Sequence, residues 1–394
     1  VKVAVVGAGI GGLAAACGLQ RLGADVSVLE RAVAPPASGS GLSVFGNGWA
    51  ALDAVGVGDA ARAVAGGQVR DLRAGQRRPD GSWLTTTPPG ALRDLRILHR
   101  ADLQQVLLDA LAPGTARFGA DVTEALPSGE VTTAAGASSE RFDLVVAADG
   151  IRSRIRASWG RDPGTRYSGY SAWRGITREP VDLLGAAGET WGAGRRFGCA
   201  PLRDGRVYWF AVATMPATAV VQDEHAAVVD LVGDWHEPIG SLLACTDPAA
   251  VVRHPVSDLA RPLPSFRRGR TVLLGDAAHA MTPDLGQGGN QAMEDAATLA
   301  ALLGGLRGDL HGYAQPDPDR VDRALADYDR LRRRRTQPIA RRARTVGRVA
   351  QARGRVTVPL RDAALRATPP SALDRAARVV QDWRPPAPGD PRVP

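Results

Sequence analysis

Lysine is almost absent from this chain of 394 residues: Lys2 is the single one, and every other basic residue is arginine. Lys2 opens the first apolar stretch, a poor position for chemistry. Schiff-base catalysis and a phosphate-loop lysine are therefore excluded unless Lys2 supplies them. Cysteine is scarce as well. Cys17, Cys199 and Cys245 are odd in number, lie far apart and form no CxxC pair. Neither a disulfide framework nor a metal site is indicated. No run is long and apolar enough to span a membrane. The start of the chain shows no basic n-region and no signal-peptide core, so cytoplasm is the expected location. The net charge of +8 and pI near 10.2 raise nucleic acid as a partner, but no zinc-finger spacing or RNA-binding signature accompanies them. A basic surface that steers anionic ligands is the expectation. There is no internal repeat.

What is present begins at the first residues. Val3-Ala4-Val5-Val6 is a short apolar run that stops at Gly7-Ala8-Gly9-Ile10-Gly11-Gly12. An alanine-rich stretch from Leu13 to Leu22 follows at helical spacing, then Asp25-Val26-Ser27-Val28-Leu29-Glu30, a second strand ending on an acid. This is a βαβ nucleotide-binding unit with its glycine fingerprint in context. Gly7 permits the tight turn, Gly9 lets the backbone approach a pyrophosphate, and Gly12 lets the helix pack on the strand. The helix N-terminus offers unpaired N–H groups to the phosphates. Glu30, about 20 residues on, is placed to accept from a ribose diol. A bound dinucleotide follows. No second fingerprint of this kind occurs, which disfavours architectures with two such units.

The remaining chain reads as mixed. Ala34 to Gly41 is a Pro/Ser/Gly loop. Leu42-Ser43-Val44 is a short strand and Asn47 to Val57 an amphipathic helix. Residues 68–98 read as hairpins, and a helix opens at Leu98 and runs through Leu111. Phe142 to Ala148 is a buried parallel strand by pattern, delivering Asp149-Gly150 to its end. Residues 166–214 alternate with period two and are rich in Tyr and Trp, as in an antiparallel sheet. Residues 223–236 read as a helix and 251–262 as a strand leading to Gly275-Asp276. A long helix starts after Gly289. Arginine-rich helices fill 320–353 and 371–383, and the Pro-rich tail from Pro385 is expected to fray. The arginine cluster 332–344 is either a dimer contact or a solvated face, and the solvated face is preferred.

Three motifs now line up: the glycine fingerprint with Glu30; Asp149-Gly150 with Ser153 and Arg156; and Leu274-Gly275-Asp276-Ala277-Ala278-His279, then Pro283, then Gly286-Gln287-Gly288-Gly289-Asn290. The set resembles the single-component FAD-dependent aromatic-ring monooxygenases, within them the branch of salicylate hydroxylase, urate hydroxylase and zeaxanthin epoxidase. The resemblance implies an α/β fold: a discontinuous Rossmann-like FAD-binding domain (1–72, 96–168 and 262–330), an inserted mostly antiparallel substrate sheet (73–95 and 169–261), and a C-terminal helical segment and tail (331–394). It also implies bound FAD, transient NAD(P)H, O2 and a small planar substrate, in a monomer or homodimer without nucleic-acid or membrane partners. Oxygen would be transferred through a flavin C4a-hydroperoxide. Carried over, Gly7, Gly9, Gly11 and Gly12 would cradle the pyrophosphate, and Glu30 and Arg31 would hold the adenosine ribose. Ser43 and Arg100 would contact the ribityl-phosphate side, and Val122 would meet the adenine. Asp276 would bind sugar hydroxyls. Gly286, Gly288, Gly289 and Asn290 would lie against the flavin pyrimidine. Asp149 and Gly150 would support flavin and nicotinamide, and Pro283 would flank the reactive edge. The loop 34–48 is read as letting the ring swing.

Residues 195–211 form a hairpin around Arg203-Asp204-Gly205 with two possible registers. A two-residue turn puts Arg196 and Tyr208 on opposite faces. A three-residue loop with Gly205 left-handed puts Arg196, Gly198, Ala200, Tyr208 and Phe210 on one face. The family resemblance, in which the matching Arg and Tyr meet substrate, favours the second. Trp173 and Arg174 read equally as core and surface. Ala172 stands where urate hydroxylase has asparagine, which puts urate itself in doubt. Halogenases of similar fold need a lysine and a Trp-x-Trp-x-Ile-Pro motif that are missing here. The rival reading is a flavin-dependent reductase or dehydrogenase of isoprenoid or polyketide substrates.

Overall fold

The computed structural model describes residues 1–35, 40–66, 69–134, 139–304 and 318–387. The loop expected over 34–48 and the tail from Pro385 lie partly outside the described residues. The first half of the chain contains β1 (Lys2–Val6), α1 (Ile10–Arg21), β2 (Asp25–Glu30), β3 (Gly41–Val44), α2 (Gly46–Ala54), α3 (Gly58–Val64), β4 (Arg73–Arg77), β5 (Trp83–Thr86), β6 (Arg96–His99) and α4 (Arg100–Asp109). Next come β7 (Ala116–Phe118), β8 (Val122–Ala125), β9 (Glu130–Thr133), β10 (Glu140–Arg141), β11 (Leu144–Ala147) and α5 (Arg154–Ser158). The inserted region holds β12 (Thr165–Ile176), β13 (Ala186–Trp191), β14 (Arg195–Pro201), β15 (Val207–Thr214), α6 (Glu224–Val232), α7 (Ile239–Ala244) and β16 (Val252–Leu259). The chain ends with β17 (Arg267–Arg268), β18 (Thr271–Leu273), α8 (Asp276–His279), α9 (Gly288–Gly304), α10 (Pro318–Ala350), α11 (Thr357–Ala367) and α12 (Pro370–Gln381).

One sheet has the order β17-β18-β11-β1-β2-β7, and all its pairings but β17–β18 are parallel. Both faces of a parallel sheet are covered, so its strands carry unbroken apolar runs. Val3 to Val6 and Leu144 to Ala147 are all buried. Helix α1 lies across β1, buried from Ile10 to Leu19. Its small residues decide how close a neighbour can come. A side chain at Gly18 would meet the Ala300 methyl at 3.0 Å and Val55 at 3.1 Å, so α9 and α2 pack against this helix only because it is narrow.

A second sheet runs β16-β12-β15-β14-β13-β4-β5. Its outer face is an aromatic core. Trp173, Phe197 and Trp209 are buried with Val228, Leu242 and Leu243 of α6 and α7, and the rings of Phe197 and Trp209 stack at 5.7 Å. Burying each such side chain contributes about 2–3 kcal/mol. The inner face meets β3 and the turn after Pro283 and is described below. Two smaller sheets, β10-β9-β8 and β3-β6, complete the fold.

Three expectations change. The helix read over 223–236 ends at Val232, and Gly233 caps it before the separate helix α7. Helices α3 and α11 are additional to the sequence reading. The arginine stretch 332–344 is not simply a solvated face. Arg332 is 1% exposed and bonded to Asp295 at 2.5 Å and Glu294 at 2.7 Å, while Arg335 holds Glu294 and Arg344 holds Asp258. Acids from distant segments meet one face of α10. Arg334, Arg341 and Arg342 on the opposite face stay exposed.

Candidate active site

The turn after β1 is set by glycine. Gly7 has φ +106°, a conformation L side chains rarely adopt, and a Cβ there would collide with the Ala148 carbonyl. Gly12 lies so close to the Gly7 carbonyl that a side chain has no room. Gly11 faces Leu274 and Ala292, and its missing side chain lets α1 pack closely there. Gly9 differs: a Cβ would meet nothing within 4 Å. The backbone at Gly9 borders open space. Glu30 faces the same turn. Its Oε2 accepts from the Ala8 N–H at 2.7 Å and its Oε1 from the Ala32 N–H at 2.9 Å. A carboxylate accepts about four hydrogen bonds, so capacity for a diol remains. Arg31 beside it is exposed. The Ala120 N–H reaches the Glu30 carbonyl at 2.8 Å, which brings the start of β8 and Val122 to this end; the Val122 side chain itself is buried.

Two more carboxylates stand at the ends of neighbouring strands. Asp149 follows β11. Its Oδ1 is buried without a hydrogen-bond partner among the described residues, and burial pushes its pKa up. Gly150, with φ +82°, also borders open space. Asp276 follows β18. It is accessible to water and makes no ion pair among the described residues, yet so much protein surrounds it that desolvation raises its pKa, against the pull of His279, Arg100 and Arg156. Arg100 is exposed at the start of α4.

Behind Asp276 lies a buried ion network. Asp295 Oδ2 accepts from the Gly275 N–H at 2.8 Å and pairs with His279 Nε2 at 2.6 Å, and its Oδ1 takes Arg332. Burial alone would raise the Asp295 pKa. His279 and Arg332 outweigh it and hold the carboxylate below its ordinary range. His279 is thus a brace for the Gly275–Asp276 turn.

Helix α9 begins at Gly288, earlier than the sequence suggests. Its first-turn N–H groups at Gly288, Gly289 and Asn290 have no intrahelical acceptor. The Asn290 side chain is not aimed at a ligand. It donates to the carbonyls of Ser43 at 2.8 Å and Gly286 at 2.9 Å and accepts from the Phe45 N–H at 3.1 Å. It ties the β3 end to the glycine turn, which also accounts for the Ser43 carbonyl. Pro283 starts the short turn Pro283–Leu285 and is exposed.

The β14–β15 hairpin takes the three-residue loop. Ala200 pairs with Tyr208, Gly198 with Phe210 and Arg196 with Val212, while Gly205 has φ +82°. All of these share the inner face. Tyr208 lies against Gly41, where a Cβ would run into its ring. Tyr208 and Phe210 tilt toward each other at 6.3 Å. Burial raises the Tyr208 pKa against an opposing effect of Arg174, so the phenol stays protonated at neutral pH.

Arg196 is not the free cation the sequence offers. It is 2% exposed and donates to Asp284 Oδ1 at 2.7 Å, Gln351 Oε1 at 3.1 Å and Glu189 Oε2 at 3.4 Å. Tyr170 donates to the other oxygen of Asp284 at 2.6 Å. Asp284, Tyr170, Glu189 and Gln351 escaped the sequence reading. Asp284 follows Pro283 directly, and its place in that motif was the available signal.

An open glycine turn, an acid beside it, two under-partnered carboxylates at strand ends and a helix N-terminus form a line of donors and acceptors that fits an elongated dinucleotide such as FAD. The sequence profile of a family described as an FAD binding domain matches residues 1–343. The chain belongs to this family, the FAD-dependent monooxygenases acting on aromatic and other planar substrates. It is 34% identical over 361 residues to an aurachin C monooxygenase/isomerase of Stigmatella aurantiaca, covering 89% of this chain and 90% of that one. It is 34% identical over 338 residues to an FAD-dependent urate hydroxylase of Klebsiella pneumoniae, covering 82% and 86%. The crystal structure of Klebsiella pneumoniae HpxO complexed with FAD and uric acid superposes with a TM-score of 0.82 at 30% identity, covering 97% of this chain and 96% of that chain.

Proposed function

We propose that the protein uses NAD(P)H and O2 to hydroxylate or epoxidise a small, planar, electron-rich substrate, in the cytoplasm where that reductant is supplied. The inner face of the second sheet carries the reading. It presents an aromatic wall, Tyr208 and Phe210, beside the small residues Gly198 and Ala200, and it faces β3 and the turn that carries Pro283. A flat ring fits such a wall.

FAD, when bound, supplies the activation of oxygen and accepts the reducing equivalents. This chain's own residues hold it and shape its surroundings. The backbone at Gly9 and the first turn of α1 would take the pyrophosphate. Glu30 and Arg31 would take the adenosine ribose, with the Val122 backbone beside the adenine. Asp276 and Arg100 would take the ribityl and phosphate side, and Asp149-Gly150 would support the middle of the ligand. The N–H groups of Gly288, Gly289 and Asn290 would stabilise negative charge at the flavin end. Pro283 would bound the reacting edge. Tyr208, protonated, would donate a hydrogen bond to a substrate acceptor. Arg196 would act through Asp284, fixing the Pro283 turn rather than touching substrate.

The test is oxidation of NADH and NADPH by the FAD-loaded protein with a panel of phenols and aromatic acids, followed by mass analysis of product formed under 18O2. Stimulated oxidation with one labelled oxygen in the product is expected. A product without label sinks the monooxygenase chemistry and leaves the reductase or dehydrogenase reading.

A further inference from the structure

Helix α11 is turned inside out. At about 100° per residue, Arg361, Asp362 and Leu365 fall on one side of it, and Val356, Leu360, Ala363, Ala364 and Ala367 on the other. The charged side is the one that packs. Arg361 and Asp362 are 5% and 4% exposed. Arg361 Nη2 donates to Asp362 Oδ1 at 2.8 Å, and its Nη1 to the carbonyls of Gly192 at 2.9 Å and Ala350 at 3.2 Å. Its guanidinium lies 5.7 Å from the centre of the Trp191 ring. Arg78 Nε donates to Asp362 Oδ2 at 2.9 Å. These bonds tie α11 to the ends of β4, β13 and α10, and so fix which side faces out. That side is apolar: Val356 is 69% and Leu360 64% exposed, and the three alanines are exposed with them.

A surface helix ordinarily buries its apolar side, and a stripe left facing water marks an interaction surface. The charge around this stripe decides what it fits. Arg353, Arg355 and Arg366 are exposed and form no ion pair among the described residues. Asp80 senses Arg366 without pairing with it. From 331 to 373 the sequence holds twelve arginines and a single acid, Asp362, which is the buried one. A second copy of the chain docked here would set arginines against arginines across a two-fold axis. An apolar stripe flanked by cations and free of exposed acid instead complements an anionic lipid surface.

We infer that the outward side of α11 docks the protein on an anionic lipid surface. Val356 and Leu360 enter the boundary between headgroups and acyl chains, and Arg353, Arg355 and Arg366 pair with the lipid phosphates. The attachment is peripheral: no described helix is long and apolar enough to cross a membrane.

The test is sedimentation of the FAD-loaded full chain with vesicles of phosphatidylcholine alone, and of equal parts phosphatidylcholine and phosphatidylglycerol. Binding to the second and not the first is expected, weakening as salt rises. Arg355→Gln and Arg366→Gln should each weaken it about fivefold. Leu360→Gln should weaken it with the charge unchanged. All three positions are exposed, so flavin content and melting temperature should match the parent. Arg334→Gln removes an exposed charge from the middle of α10, away from the stripe, and should change binding little. No binding to the anionic vesicles overturns the inference. So does binding that Leu360→Gln leaves intact, or that Arg334→Gln weakens as much as Arg355→Gln, since either outcome describes a general basic surface. A solution dimer that Leu360→Gln dissolves, without vesicle binding, gives the face to a second copy and overturns it too.

Discussion

Asp284 Oδ1 lies 2.7 Å from Nη2 of Arg196, and the two side chains are 0% and 3% exposed. One partner belongs to the turn after Pro283 and the other to β14, so this buried pair fastens the second sheet to the segment that carries the glycine turn. Removing one member of such a pair leaves an uncompensated charge. Arg196→Met leaves the Asp284 charge with the neutral Tyr170 hydroxyl alone, and Asp284→Asn leaves Glu189, at 3.4 Å, as the carboxylate paired with Arg196 beside the neutral Gln351. Each single change should cost about 3 kcal/mol, and the double variant should cost clearly less than their sum. Denaturant unfolding of the three variants measures this. Additive losses would show that the pair is not coupled.

Gly347 makes that arrangement possible from the other side. It lies within α10, and a Cβ there would fall 2.6 Å from the Tyr170 hydroxyl and press on the Asp284 carboxylate. Neither atom can retreat, because each is bonded to the other and Asp284 also to Arg196. Ala is ordinarily the better helix residue, by about 1 kcal/mol. Here the sign should reverse: Gly347→Ala should destabilise by about 1–3 kcal/mol, the usual range for an overpacked core. A melting temperature at or above that of the parent would mean that α10 shifts freely.

The acid limb of stability should depend on Glu294 and Asp295. Burial opposes their ionisation, but Arg332 and Arg335 hold Glu294, and His279 and Arg332 hold Asp295, below their ordinary values of 4.5 and 3.8. A carboxylate with a depressed folded pKa stabilises the fold above its unfolded pKa, and that stability is lost as pH falls through the folded pKa. Stability should therefore be flat near neutrality and fall steeply below about pH 4. Asp295→Asn should flatten this limb and lower stability at pH 7. Unfolding free energies measured between pH 3 and 7 decide it. An acid limb of unchanged slope would assign the loss to other groups.

Much of this was legible in the chain, for physical reasons that can be named. The first strand and its glycine turn are local: an apolar run, a φ that only Gly7 tolerates, and a helix narrow enough to pack. The hairpin sequence left two registers open; the family resemblance favoured the three-residue loop with Gly205 left-handed, and the structure takes it. What the chain did not disclose is where its charges go. Arg196 read as a free substrate cation, and the arginines of α10 as a solvated face. Their partners Asp284, Glu294, Asp295 and Asp258 stand 37 to 88 residues away. Nothing in local spacing announces such pairs. Arg174, which read equally as core or surface, is placed by the register opposite Phe210.

The two glycines of the first turn that differ most in their surroundings give a sharp test of the proposed FAD site. Gly9 has an ordinary extended backbone, φ −71° and ψ 172°, and a Cβ there would meet no protein atom within 4 Å. Gly9→Ala should leave the stability of the FAD-free protein within about 0.5 kcal/mol of the parent, as for a surface change. It should weaken FAD binding at least about tenfold, because the methyl group holds the backbone away from the pyrophosphate. Gly12→Ala should do the reverse in kind. Its methyl would press on the Gly7 carbonyl and on Ala148, so the fold itself should suffer before any ligand is considered. Thermal unfolding of the apoproteins and fluorescence titration with FAD separate the two. If Gly9→Ala binds FAD as tightly as the parent, the pyrophosphate does not sit at this turn, and the glycine there answers only to folding.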